Sequence, residues 1–219
     1  MTHDILSRLG AALEQPAAAE SGEEPALRRA SVAMVLRPSG AEAQDIRHFE
    51  IALIERARRP GDPWSGQVAM PGGRADGTDL DLVHTAIRET EEEVGLTLTR
   101  EACLGGLGDH RAHTRVPAMA ISGFVFGVGP EASLGPVEPQ EVESASWVPL
   151  AHLLDPEAAV RYRFTTSMEP FPGVLLPDGA NVLWGLTYRF VDTMLRHLDT
   201  RLPLPGGHSA VLEHPSLGS

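Results

Sequence analysis

Pro71-Gly72-Gly73, followed at helical distance by Arg88-Glu89-Thr90-Glu91-Glu92-Glu93, is the stretch that most restricts how this chain folds. Two glycines after a proline permit a tight turn that bulkier residues resist. A helix is then expected to start near Thr78 or Asp79, where Thr78 with Asp81 resembles a capping box, and to stop at Gly95. Val83, Ala86, Ile87, Thr90 and Val94 fall on one face at about 100° per residue, so that face belongs to the core. Glu89, Glu92 and Glu93 stand at i, i+3 and i+4 on a different face, which Glu91 leaves. Carboxylates crowded into one turn repel each other, and a hard divalent cation relieves that repulsion with the oxygen ligands it prefers. Arg88 can pair with one carboxylate and fix its rotamer. A Glu-rich turn alone more commonly serves only to solvate a helix. Its conjunction with the Pro-Gly-Gly turn and a capped helix is what marks a site.

The block Gly73 to Leu96 resembles the Nudix box, G-x5-E-x7-R-E-U-x-E-E-x-G-U with U aliphatic. Arg88, Glu89, Glu92, Glu93, Gly95 and Leu96 match in register. Asp79 stands where the first Glu is expected, Thr90 replaces an aliphatic residue, and the span from Gly73 to Arg88 is one residue longer than the general pattern. The resemblance implies an α/β fold of the α+β type, a Nudix-like α/β/α sandwich with a mixed sheet. It also implies Mg²⁺- or Mn²⁺-dependent hydrolysis of a diphosphate linkage in a small nucleotide substrate. On that likeness Glu89, Glu92 and Glu93 are expected metal ligands, Arg88 orients a carboxylate, and Gly72 and Gly73 open the backbone to the substrate. Nudix enzymes often add a carboxylate from a later loop; of Glu138, Glu141 and Glu143, Glu141 is the expected one.

The longer spacing, with Asp76-Gly77-Thr78-Asp79, resembles Nudix hydrolases of the coenzyme A pyrophosphatase branch. That branch carries an upstream L-L-T-x-R-[SA] motif, a spacer and G-x-x-x-F-P-G-G. Here Arg56, Ala57, Gly66 and Pro71-Gly72-Gly73 agree, whereas Ala52, Ile54 and Met70 depart. Leu183-Trp184-Gly185-Leu186-Thr187 resembles the Trp-Gly-[LM]-Thr segment that opens the last helix in that branch, with Trp184 read as a buried cap. The resemblance implies coenzyme A or a derivative as substrate, cleaved to 3′,5′-ADP and 4′-phosphopantetheine, with Arg56 on the phosphates and Arg58 and Arg59 as further candidates. ADP-ribose, NADH or a damaged nucleoside triphosphate is the alternative substrate class. A silent Nudix-fold binding module is disfavoured by the intact carboxylates.

Around this block, residues 1–29 read as an N-terminal helix (Ile5, Leu6, Leu9, Leu13) and linker, 30–200 as the catalytic domain, and 201–219 as a flexible tail. Strands are expected at Ala30–Leu36, Phe49–Ile54, Ala120–Val128 and Ala145–Val148, with a short helix at Leu150–Leu154 and a longer one over Val182–Leu198. Strands before, between and after helices indicate a mixed α/β domain. His110, Arg111, His113 and Arg115 form a basic cluster without zinc spacing.

With 18 Lys and Arg against 30 Asp and Glu, the net charge of −12 argues against nonspecific nucleic-acid or anionic-membrane binding. Phosphates can still bind where cations intervene. Cys103 is the single cysteine, which excludes an intrachain disulfide and a Cys-based zinc site; it is expected in the core. No signal-peptide pattern or apolar stretch of about 18 residues is present, so a cytoplasmic location is expected. The oligomeric state is left open, a homodimer included.

Overall fold

The computed structural model describes residues 3–15, 28–40, 43–62, 64–112, 119–165, 169–206 and 209–214. In chain order the elements are α1 (His3–Ala12), β1 (Arg28–Pro38), β2 (Phe49–Arg56), β3 (Val68–Ala69), β4 (Gly72–Arg74), α2 (Leu82–Val94), β5 (Cys103–Ala112), β6 (Met119–Gly127), β7 (Val142–Pro149), α3 (Leu150–Leu153), β8 (Ala159–Arg163), β9 (Phe171–Leu175), β10 (Val182–Trp184), α4 (Gly185–Arg196) and β11 (Val211–Glu213).

The apolar runs of β1 and β2 are near-continuous because both faces of their sheet are covered. Ala33, Val35, Ala52 and Ile54 pack beneath α2 with Val83, Ala86 and Val94. The intervening Met34, Leu36, Ile51 and Leu53 point the other way, into a cluster with Phe190, Val191 and Met194 of α4 and with Ile5 and Leu9 of α1. The result is an α/β/α sandwich around a mixed sheet, as the sequence predicts. Removing a side chain such as Leu53, 2% exposed, would cost about 2–5 kcal/mol.

A splay in this sheet positions the site. β1 pairs with β2 only at Leu36–Pro38 against Phe49–Ile51, and the two strands then part. Into the wedge goes the Gly-Gly segment: β3 pairs with Ile54 and Glu55 of β2, and β4 pairs with Ala30–Val32 of β1. Beyond β1 the sheet adds β6 parallel to it and then β5 antiparallel at the edge, and β7 pairs antiparallel with β2. A smaller sheet, in the order β10-β9-β8-β11, packs beside it.

Several expectations change: the tight turn expected at Gly72-Gly73 is instead strand β4, held extended against β1. The helix at the Nudix-like block begins at Leu82, not Thr78, with Asp81 as N-cap accepting the His84 N–H at 2.9 Å. Asp76 takes the Thr78 N–H and hydroxyl at 2.9 and 2.8 Å, closing a turn ahead of the helix. The helix expected over Val182–Leu198 starts at Gly185, because 182–184 pair with β9. Trp184 is half-buried and makes no side-chain cap; its ring lies against Tyr162, Phe164 and Phe171 at centroid distances of 5.1, 4.9 and 5.7 Å. Residues 211–213, given no structure from sequence, form β11 alongside β8.

Candidate metal centre

Glu89 and Glu93 face inward from α2 toward the wedge. The loop before β7 is clamped to both elements: the Glu138 N–H donates to the Glu93 carbonyl at 3.2 Å, and the Ala57 N–H just past β2 to the Glu141 carbonyl at 2.9 Å. This brings Glu141 onto the pair, and one oxygen from each of Glu89, Glu93 and Glu141 lies within 4.8 Å of the others. Glu92 is not in this set. Its carboxylate is 57% exposed and sits on Arg88 Nη1 at 2.9 Å. Glu138 and Glu143 lie outside the set as well.

Burial sets the electrostatics. Glu93 is 1% exposed, and desolvation pushes its carboxyl up to about 7, opposed by the Gly72 N–H at 2.8 Å and the positive charge of Arg56. Burial also raises Glu89, against the pull of Arg88. Two adjacent carboxyls that resist ionising leave a site which a cation completes. Three hard oxygen donors are the ligand chemistry of Mg²⁺ or Mn²⁺, so the residues fit the ion.

Arg88 is the organiser. Its Nε and Nη2 donate to both oxygens of Asp79 at 3.0 Å, its Nη1 to Glu89 at 3.0 Å, and its Nη2 also to the Arg74 carbonyl at 3.1 Å. Asp79, whose side chain is 2% exposed, is held well below the usual carboxylate range, chiefly by this arginine. Thr85 and His84 complete the enclosure of Asp79 at 2.8 and 3.1 Å. The shorter carboxylate at 79 is thus the buried anchor of Arg88; His84 as its neighbour is not apparent from the sequence.

The two glycines do different work. Gly72 has φ 154, and a Cβ there would collide with the Ser31 carbonyl and reach 2.6 Å from Val32 Cα. A Cβ on Gly73 would collide with the Glu89 carboxylate. Gly72→Ala therefore meets backbone and is expected to cost at least about 2 kcal/mol in urea denaturation. Gly73→Ala meets only the movable end of a side chain. It should leave stability within about 1 kcal/mol but weaken Mn²⁺ binding roughly 10–100-fold in calorimetric titration. Equal losses of stability in the two variants would contradict this division.

Among the arginines, Arg56 donates to Asp62 at 3.3 Å and its buried Nε has no partner. Arg59, on the loop after β2, reaches across to the loop that presents Glu141, donating to the Gln140 carbonyl, with Glu141 at 3.8 Å. Arg58 approaches Glu55 at 3.7 Å. His110 turns its ring edge to Phe190 at 4.6 Å, and burial lowers its pKa; Arg111 is exposed, and His113 and Arg115 lie outside the described residues. Cys103 is half-buried against the α2-side core, and burial raises its pKa. No helix among the described residues is long and apolar enough to cross a membrane.

Fold and cluster together define an α+β protein whose carboxylate-bearing helix and diglycine strand enclose a hard-cation site. The NUDIX domain matches residues 27–168, and the chain belongs to that family. The human mitochondrial coenzyme A diphosphatase NUDT8 is 43% identical over 146 residues, covering 61% of this chain and 56% of that protein. Its mouse counterpart is 32% identical over 158 residues, 69% of this chain and 70% of that protein. An uncharacterized protein of Schizosaccharomyces pombe, C14C4.10c, is 38% identical over 157 residues, 64% of this chain and 47% of that one. The chain spans about half the length of the yeast and human relatives. A crystal structure of a MutT/nudix family protein from Enterococcus faecalis superposes with a TM-score of 0.52 at 18% identity, covering 83% of this chain and 66% of that one, a likeness of fold alone.

Proposed function

We propose that this protein is a divalent-cation-dependent hydrolase that cleaves the diphosphate linkage of coenzyme A or a derivative, releasing 3′,5′-ADP and 4′-phosphopantetheine. The convergence of Glu89, Glu93 and Glu141 within 4.8 Å carries the reaction class. The similarity to the human and mouse coenzyme A diphosphatases supports the substrate.

Glu89, Glu93 and Glu141 would hold the cation, Mg²⁺ or Mn²⁺. When bound, it supplies charge neutralisation at the diphosphate oxygens and acidifies a coordinated water. Arg88 keeps Glu89 in one rotamer by tying it to the buried Asp79. The Gly72 N–H fixes one oxygen of Glu93. Arg56, half-buried with an unpartnered Nε and its charge acting on Glu93, would receive phosphate charge. Glu141, 48% exposed on its loop, is the most accessible of the three carboxylates and the candidate general base.

Incubation of the protein with Mg²⁺ or Mn²⁺ and coenzyme A, ADP-ribose, NADH and nucleoside triphosphates, with products resolved by mass, tests the reading. Coenzyme A is expected to give 3′,5′-ADP. An intact coenzyme A beside cleaved ADP-ribose would refute the substrate and keep the reaction class. Because Glu92 stands on Arg88 outside the cluster, Glu92→Gln should weaken Mn²⁺ binding less than Glu93→Gln does. The reverse order would move Glu92 into the ligand set.

A further inference from the structure

A cleft of ≈ 210 Å³ lies on the smaller sheet, apart from the three carboxylates. Trp184, Tyr162, Arg58, Gly66, Asn181 and His214 are among the residues lining it. Its volume is below the roughly 300–1,000 Å³ of pockets that enclose a whole drug-sized molecule. It therefore suits one compact group of a larger ligand.

The chemistry of the walls narrows that group. Trp184 is half-buried and backed by three other rings, which makes it a rigid aromatic surface. Arg58, 61% exposed, lies over Gly66, where a Cβ would come 3.4 Å from its guanidinium carbon. Glu55 sets both polar groups: it faces Arg58 at 3.7 Å and accepts from Asn181 Nδ2 at 3.1 Å. The Asn181 amide nitrogen also donates to Asp178 at 2.9 Å, which leaves its oxygen directed by two bonds and available as an acceptor. An aromatic face, an amide acceptor and a cation are what a flat nitrogen base carrying a phosphate requires.

The cleft also stands at a useful distance from the carboxylates. Glu55 holds Asn181 and Arg58 of its wall, and the next residue of β2, Arg56, acts on Glu93. Val68 lines the cleft and Gly72 donates to Glu93. Three residues separate these two, a span of at most roughly 14 Å.

We propose that this cleft receives the purine of the substrate's nucleotide half, stacked on Trp184 with an attached phosphate on Arg58. The inference rests on the nucleotide-diphosphate reading above, since one ligand must then reach both places. Stacking of this kind contributes about 1–3 kcal/mol per base.

The test is titration of the metal-free 219-residue chain in EDTA with adenosine 3′,5′-bisphosphate, followed by tryptophan fluorescence and calorimetry. Wild type should show saturable quenching. Trp184→Phe, which keeps an aromatic ring against its neighbours, should lose the quench. Arg58→Ala, an exposed position, should keep its melting temperature and bind about tenfold more weakly. 4′-Phosphopantetheine should neither quench nor compete. Quenching that survives Trp184→Phe, unchanged affinity in Arg58→Ala, or competition by 4′-phosphopantetheine would each overturn the assignment. If coenzyme A is hydrolysed while the bisphosphate leaves Trp184 unaffected, the cleft assignment fails and the activity stands. If the bisphosphate binds as described and no diphosphate is cleaved, the activity fails and the cleft stands.

Discussion

Glu93→Gln is expected to cut turnover severely while making the metal-free protein more stable at pH 8. Glu93 titrates near 4.5 when unburied and near 7 in the fold. A carboxyl whose folded pKa is raised contributes its proton-linked stability fully below the unfolded value, and that stability is lost as pH rises through the folded value. The shift corresponds to about 3 kcal/mol that metal-free wild type forfeits between about pH 4.5 and pH 7. Glutamine has the shape of the protonated acid and still accepts the Gly72 N–H, so the variant does not incur this loss. Urea denaturation in EDTA should therefore find the two proteins equal at pH 4 and the variant ahead at pH 8. Adding Mn²⁺ should stabilise wild type and not the variant, because a ligand stabilises only the state that binds it. Turnover on the best substrate should fall roughly 100-fold or more, the scale of removing one fixed electrostatic contact from an active site. A variant that loses activity and is also less stable than metal-free wild type at pH 8 would show that Glu93 is structural.

Arg88→Ala is expected to cost stability as well as activity, in contrast to Glu93→Gln. Its guanidinium neutralises Asp79, a carboxylate with a side chain 2% exposed, while also reaching Glu89, Glu92 and the Arg74 carbonyl. Breaking a buried ion pair from one side leaves an uncompensated charge and costs about 3–5 kcal/mol. Thr85 and the Asp76 N–H still hydrogen-bond Asp79 and place the value at the lower end. Combining Arg88→Met with Asp79→Asn removes both charges together and should recover most of the stability. Activity should not return with it, because nothing then holds Glu89 in place. Recovery of turnover in the double variant would mean that Arg88 serves the fold alone.

These variants separate what is local from what is assembled. The α2 carboxylates and the Gly95 stop are legible because helical periodicity and the αL preference of glycine act within a few residues, whereas the turn read at Gly72-Gly73 is strand β4, extended by its pairing with β1. Gly95 indeed ends the helix at φ 61. The alternating apolar residues of β1 and β2 likewise declare strands before any partner is known. β5 does not: with Gly105, Gly106, Gly108, Asp109 and His110 it has little pattern of its own and exists through pairing with β6. The same holds for β10 and β11, where three-residue strands lie in stretches that read as helix or as tail.

The site divides along the same line. The residue types and spacing on α2 are enough to specify a cluster of carboxylates that calls for a cation. Which three oxygens meet is not a property of the helix, since i, i+3 and i+4 put Glu89, Glu92 and Glu93 on equal terms. Tertiary contacts break that equality. The splay of β1 and β2 admits the diglycine segment, whose Gly72 N–H captures Glu93; Asp79, outside the helix, fixes Arg88, on which Glu92 then sits at the rim; and two backbone hydrogen bonds bring in Glu141 from a distant loop. Burial then raises Glu93, a shift produced by neighbours that no local pattern contains.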